Sequence, residues 1–161
     1  MKVHIRPKTL FLTLFGLIIT SALCISFFSC AEIPLTGRKG LRLITSEQLF
    51  ALSLQSYSKI LKESRLSRDR GKVRKVREVG NRIARATEEF LIDSGLGSKI
   101  DEYDWEFNLI EDDETVNAWC MPGGKVAVYT GILPVARDDN GLAVVIGHEV
   151  AHVVAEHGNE R

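Results

Sequence analysis

The chain closes on GHEVAHVVAEHGNER, which places His148 and His152 four residues apart with Glu149 directly after the first histidine. At about 100° per residue, two side chains at this spacing stand about 40° apart on one helical face. Both imidazoles can therefore reach a single ion, for which a zinc at about 2.0 to 2.1 Å per bond is the natural fit. Glu149 lies about 60° beyond His152, so it reaches past the ion rather than onto it, where a carboxylate acts as a general base. A zinc bound there would lower the pKa of a water toward about 7 and polarise a carbonyl, which is the chemistry of metal-assisted amide hydrolysis. By chance such a motif arises on the order of once in a few hundred chains of this length.

A catalytic zinc takes three protein ligands and keeps one position open. His157 is not expected to be the third, because a helix continuing to that point carries it about 180° round from His148. The other spacing that supplies a third histidine, H-E-x-x-H-x-x-G-x-x-H, is not met, since Ala155 and Gly158 stand at its glycine and histidine positions. His157 reads instead as an exposed residue favourable at a helix C-terminus.

The elements that must hold this cluster follow from periodicity. Asn140 to His157 predicts an apolar helix ended by Gly158, with Leu142, Val145 and Ile146 ahead of the histidines. So apolar a helix is expected to be buried, with its polar cluster costly unless an ion is bound. Upstream, Thr45 and Gln48 form a capping-box start to a helix over 46–63, with Phe50, Leu54, Tyr57 and Leu61 at helical spacing. A second amphipathic helix carries Val76, Val79, Ile83 and Phe90 on one face, and nine Lys/Arg fall between Arg65 and Arg85. Those cations could lie against anionic lipid, although such a run is more often a solvated face. YDWEFNLIE alternates as a strand with Tyr103, Trp105, Phe107 and Leu109 on one side. VNAWCMPGGKVAVYTG reads as two extended arms broken at Pro122, Gly123 and Gly124. The fold class is α+β: N-terminal helices, a small antiparallel sheet and an active-site helix.

The 161 residues suffice for one domain, and 21 basic residues balance 21 acidic ones, which argues against nucleic acid as a partner. MKVHIRPK followed by the apolar stretch 9–28 has the layout of an export signal, roughly long enough to serve as an uncleaved anchor instead. FFSC at its end resembles a bacterial lipoprotein cleavage box, with Phe27 where an aliphatic residue is usual, so residues 1–29 are expected to be removed and Cys30 lipidated. Residues 30–44, with Pro34, Gly37 and Gly40, then form an extended tether. Cys24 falls in the signal and Cys30 carries lipid, so Cys120 has no disulfide partner and reads as a small buried side chain.

Three stretches carry a family likeness: PLTGRKGLRLITSEQLFALSLQSYSKILKESRLSRD, YDWEFNLIEDDETVNAWCMPGGKVAVYTGILPVA and GLAVVIGHEVAHVVAEHGNER. Together they resemble the amino-terminal part of M48-family zinc metallopeptidases, in the Oma1-like branch that includes bacterial lipoprotein and periplasmic quality-control proteases. The resemblance implies a zincin-like peptidase domain over 45–161, incomplete at its C-terminus. It implies one zinc per subunit on His148 and His152, with Glu149 as general base and the third ligand a glutamate on a downstream helix absent from this chain. It further implies that Val116, Asn117 and Ala118 border the cleft as an edge strand to which an extended peptide adds. The expected function is endoproteolysis of unfolded or damaged envelope proteins by an enzyme lipid-anchored on the periplasmic side, with the outer membrane favoured over the inner. The chain alone could be inactive, and a membrane-tethered, non-catalytic binding or chaperone-like module with an incomplete metal site is the alternative.

Intact mass and N-terminal peptide mapping of the mature protein check the lipoprotein reading. A diacylated Cys30 at the N-terminus is expected, whereas a retained Met1 or a free Cys30 thiol would contradict it.

Overall fold

A computed structural model describes residues 30–32, 39–41 and 45–157. The signal segment 1–29 lies outside the described residues. Strands β1 (Cys30–Glu32) and β2 (Lys39–Leu41) pair antiparallel with Cys30 opposite Leu41, and belong to a unit of their own. Both stretches of the expected tether are thus extended, and their backbones also satisfy one another.

The second unit starts with α1 (Ser46–Glu63). Its capping box is complete: Gln48 N donates to Thr45 Oγ1 at 3.3 Å and Thr45 N to Gln48 Oε1 at 3.1 Å. Helix α2 (Arg70–Asp93) is capped by Asp69, whose carboxylate accepts from Gly71 N and Lys72 N. It buries Val76, Val79, Gly80, Ala84 and Leu91, and Gly80 lets the Phe107 ring sit directly on the helix backbone. Phe90, expected on this face, is 49% exposed. The buried face drifts toward Ala84 and Leu91, where the 3-10 helix Gly97–Glu102 packs against α2.

Strands β3 (Glu106–Ile110), β4 (Ala118–Met121) and β5 (Lys125–Tyr129) form one sheet in the order β3-β5-β4. β4 and β5 make the hairpin expected at Pro122–Gly124, with Gly123 and Gly124 at φ 86° and 76°. β3, however, runs parallel to β5, so the sheet is mixed rather than wholly antiparallel. The reason is the path of residues 111–117. They cross the end of β5 and deliver the chain to its far edge, so β4 reverses direction and β5 reverses again into the centre. The crossing is close: Gly131 N donates to Asp112 O, and a Cβ on Gly131 would come within 2.6 Å of the carbonyl oxygens of Asp113 and Thr115. Central position suits β5, whose Val126, Ala127 and Val128 are buried on both faces. Lys125 is also buried there, its ammonium donating to Asp104 O at 2.6 Å and Oδ2 at 2.7 Å. Tyr103, Trp105 and Phe107 stack in sequence at centroid spacings of 4.8 and 6.3 Å, the alternation expected of this segment.

A short helix, α3 (Leu133–Ala136), leads through Arg137 at φ 67° into α4 (Asp139–Val154). Asp138 caps α4 by accepting from Asn140 N and Gly141 N, each at 2.9 Å. Two of the basic residues of α2, Lys75 and Arg82, reach Asp139 at 3.2 and 3.6 Å, exposed pairs that each contribute little. Leu142, Ile146, Val150 and Val154 are buried, with α4 packed on α2 and β4.

Two expectations for this helix are overturned. It is not buried all round, since Val144 is 73% exposed and His148, Ala151 and His152 share that open face. Nor does it continue to His157: it ends at Val154, and Glu156 adopts a left-handed φ of 55°. The turn is held by an ion pair between Glu156 and Lys99, both side chains largely buried.

Gly141 lies so close to the α3–α4 junction that a Cβ would overlap the carbonyl oxygen of Ala136. Gly141→Ala is expected to destabilise the fold by at least ~1–3 kcal/mol, as overpacking does. In the same helix Gly147→Ala meets only Ile83 Cδ1, at 3.8 Å, and should be tolerated. Thermal unfolding of both variants checks this, and equal midpoints would contradict it.

Candidate metal centre

Burial of Leu142, Ile146 and Val150 turns the opposite face of α4 outward, and that face carries His148 and His152. Their Nε2 atoms are 3.1 Å apart, with the rings edge-to-face at 80°. Two nitrogens bound to one zinc at about 2.0 to 2.1 Å and near-tetrahedral angles stand about 3.3 Å apart. The pair is therefore close to the spacing that one ion requires, and imidazole nitrogen suits zinc chemically. Among the described residues no group of three His, Cys, Asp or Glu side chains converges to hold a metal.

Glu149 lies on the flank of α4, half-buried. Its charge acts on Cys120 of β4, whose thiol is pushed up to about 12, first by burial and second by that carboxylate. Cys120 Sγ–H donates to Met121 O at 3.6 Å, and the residue has no disulfide partner. The general-base candidate thus lies within electrostatic reach of β4, between the buried and the open faces of α4.

β4 is an edge strand of the sheet. Tyr129 N donates to Asn117 O at 3.1 Å, which makes Asn117 and Tyr129 a hydrogen-bonded pair. Antiparallel alternation then aims the backbone groups of Ala118 and Cys120 away from β5. Ala118 N–H is held locally by Asn117 Oδ1 at 2.9 Å. Of the expected trio, Val116 and Asn117 are exposed before the strand, and Ala118 alone lies in it, its side chain buried. A cavity of about 570 Å³ opens between this strand and the end of α4, lined by Phe50, Tyr103, Cys120, Pro122 and His152 among others.

His157 is the residue that helical extrapolation misplaced. The left-handed turn at Glu156 swings it back, so its Nδ1 lies 2.7 Å from Nδ1 of His152. No local sequence signal announces this, since Gly158 sits where a later helix end would be expected.

The Peptidase family M48 profile matches residues 77–161 of this chain. Among curated proteins, the mitochondrial metalloendopeptidase OMA1 of Schizosaccharomyces pombe is 40% identical over 79 residues, covering 49% of this chain and 22% of that protein. OMA1 of Bos taurus is 28% identical over 154 residues, 93% of this chain and 27% of its own length. The Escherichia coli metalloprotease YcaL is 31% identical over 83 residues, covering 48% and 32% respectively. The chain thus spans no more than about a third of any of these three relatives.

Thiol chemistry offers a check on the packing beside Glu149. The folded chain keeps the Cys120 proton from the ordinary value of 9.0 up to about 12, while the unfolded chain releases it. The contribution to stability is full below pH 9.0 and is lost as the pH rises through that window. At pH about 8.5, alkylation of Cys120 in the folded protein should be on the order of 10³-fold slower than in urea, because only the thiolate reacts. Peptide mapping separates this thiol from the others, and rates within about tenfold of each other would contradict the packing described.

Proposed function

The chain belongs to peptidase family M48, and we propose that it provides the metal-binding and general-base residues of a zinc-dependent metalloendopeptidase. The observation that carries the reading is the 3.1 Å approach of His148 Nε2 to His152 Nε2 on an exposed helical face. His148 and His152 hold the ion, and the third ligand comes from outside the described residues. Bound zinc supplies Lewis acidity toward a peptide carbonyl and toward water.

Glu149 does the proton work. Its place on the flank of α4 beside β4 lets it take a proton from the attacking water and return it to the leaving amine. β4 aligns the substrate: an extended peptide pairs with the outward backbone of Ala118 and Cys120, displacing the Asn117 side chain from Ala118 N–H. The adjoining cavity, with Phe50 and Tyr103 in its wall, accepts an apolar side chain of the peptide. Main-chain recognition of this type is tolerant of sequence and favours unfolded segments, consistent with quality control of damaged proteins.

The cellular setting is also part of the proposal. The signal-like segment and FFSC box support a setting on a bacterial envelope membrane, through lipid on Cys30 and facing the periplasm. No helix among the described residues is long and apolar enough to cross a membrane.

Casein cleavage by the native gene product with zinc tests the reading. Glu149→Gln should lower kcat on the order of 10²-fold or more, as loss of a general base does. Ala118→Pro removes the outward N–H without touching the bond that Tyr129 N donates to Asn117 O, and should raise KM for peptides while the fold persists. Cleavage unaffected by Glu149→Gln would overturn the catalytic assignment, and an unchanged KM in Ala118→Pro the strand pairing. Zinc bound with no cleavage at all would favour the non-catalytic binding module.

A further inference from the structure

Each ring nitrogen of His152 has a partner: Nε2 faces His148 Nε2 at 3.1 Å, and Nδ1 faces His157 Nδ1 at 2.7 Å. A neutral imidazole carries one proton, so only one of its nitrogens donates. Were that proton on Nε2, it would point at His148 and occupy the space where an ion must sit. With the proton on Nδ1, His152 donates to His157 and keeps the Nε2 lone pair directed toward His148. Second-shell acceptors of this kind fix both the tautomer and the ring orientation of a metal-binding histidine.

We propose that His157 is a positioning residue for His152, accepting its Nδ1–H and so presenting His152 Nε2 to the metal. The inference rests on the zinc reading above. What makes the contact possible is the backbone. Glu156 at φ 55° reverses the chain directly after α4, and its ion pair with Lys99 anchors the turn to the 3-10 helix Gly97–Glu102. A non-glycine residue held in this left-handed conformation is uncommon and is retained where surrounding contacts determine it. His157 is half-buried against this turn, its ring 5.0 Å from that of His152 at 56°. With that tautomer His152 Nε2 is an acceptor, so the donor in its 3.1 Å contact would be the Nε2–H of His148. His148 would hold an ion in the tautomer protonated at Nδ1, its proton exchanging from Nε2 through solvent, whereas His152 would already be in its binding form.

Ring 15N chemical shifts of the metal-free protein, with the imidazoles neutral, read the tautomer without any activity assay. His152 is expected to be protonated at Nδ1 in the wild type, and protonation at Nε2 would overturn the proposal. Zinc affinity, measured by chelator competition, should fall about 10- to 100-fold in His157→Ala, the usual range for loss of a second-shell partner. His157→Gln, whose amide oxygen can accept, should recover most of it, while His157→Phe should not. Unfolding midpoints of the three variants should match the wild type, which separates positioning from stability. Unchanged zinc affinity in His157→Ala would refute the role of His157. Failure of the wild type to bind zinc, with the Nδ1 tautomer present, would instead refute the zinc reading.

Discussion

The rotational phase of α4 is the constraint on which the site depends. Leu142, Ile146 and Val150 recur every four residues and bury against α2 and β4, so the helix can dock in one orientation only. That orientation sends His148 and His152 outward together and leaves Glu149 between the open face and the sheet edge. A phase shift of one residue would rotate every side chain by about 100° and bring Gly147 into the place of Ile146, or Glu149 into that of Val150. The start of the helix is fixed just as tightly, by the Asp138 cap and the glycine contact between Gly141 and Ala136.

The sheet makes the second half of the arrangement. β5 fills its centre because its residues are buried on both faces, and this leaves β4 as an edge beside α4. An edge strand is normally a liability, since its unpaired backbone groups invite other chains. Here the Asn117 side chain satisfies Ala118 N–H, which blunts the edge while leaving it displaceable. One strand thus packs against α4 and keeps an outward backbone edge, the edge to which the proposed substrate would add.

Much of this was legible in the residues. The capping box at Thr45 and Gln48, the aromatic alternation from Tyr103 to Phe107 and the Pro-Gly-Gly turn all depend on local chemistry, and local chemistry decided them. The approach of His148 to His152 was legible for the same reason, because four-residue spacing on a helix fixes the relation of two side chains. What escaped was set by contacts distant in sequence. The parallel pairing of β3 with β5 follows from the crossing of residues 111–117. The early end of α4 follows from the Lys99–Glu156 ion pair, whose members are far apart in the chain, and with it went the placement of His157. The open face of α4 was missed because hydropathy measures how apolar a helix is, not which neighbours cover it.

Anomalous diffraction at the zinc absorption edge, from crystals grown with zinc, is the most direct test of the central claim that α4 presents His148 and His152 to one ion. The expected result is a single peak about 2.0 to 2.1 Å from both Nε2 atoms. A zinc held by other side chains, or by only one of the two histidines, would contradict it.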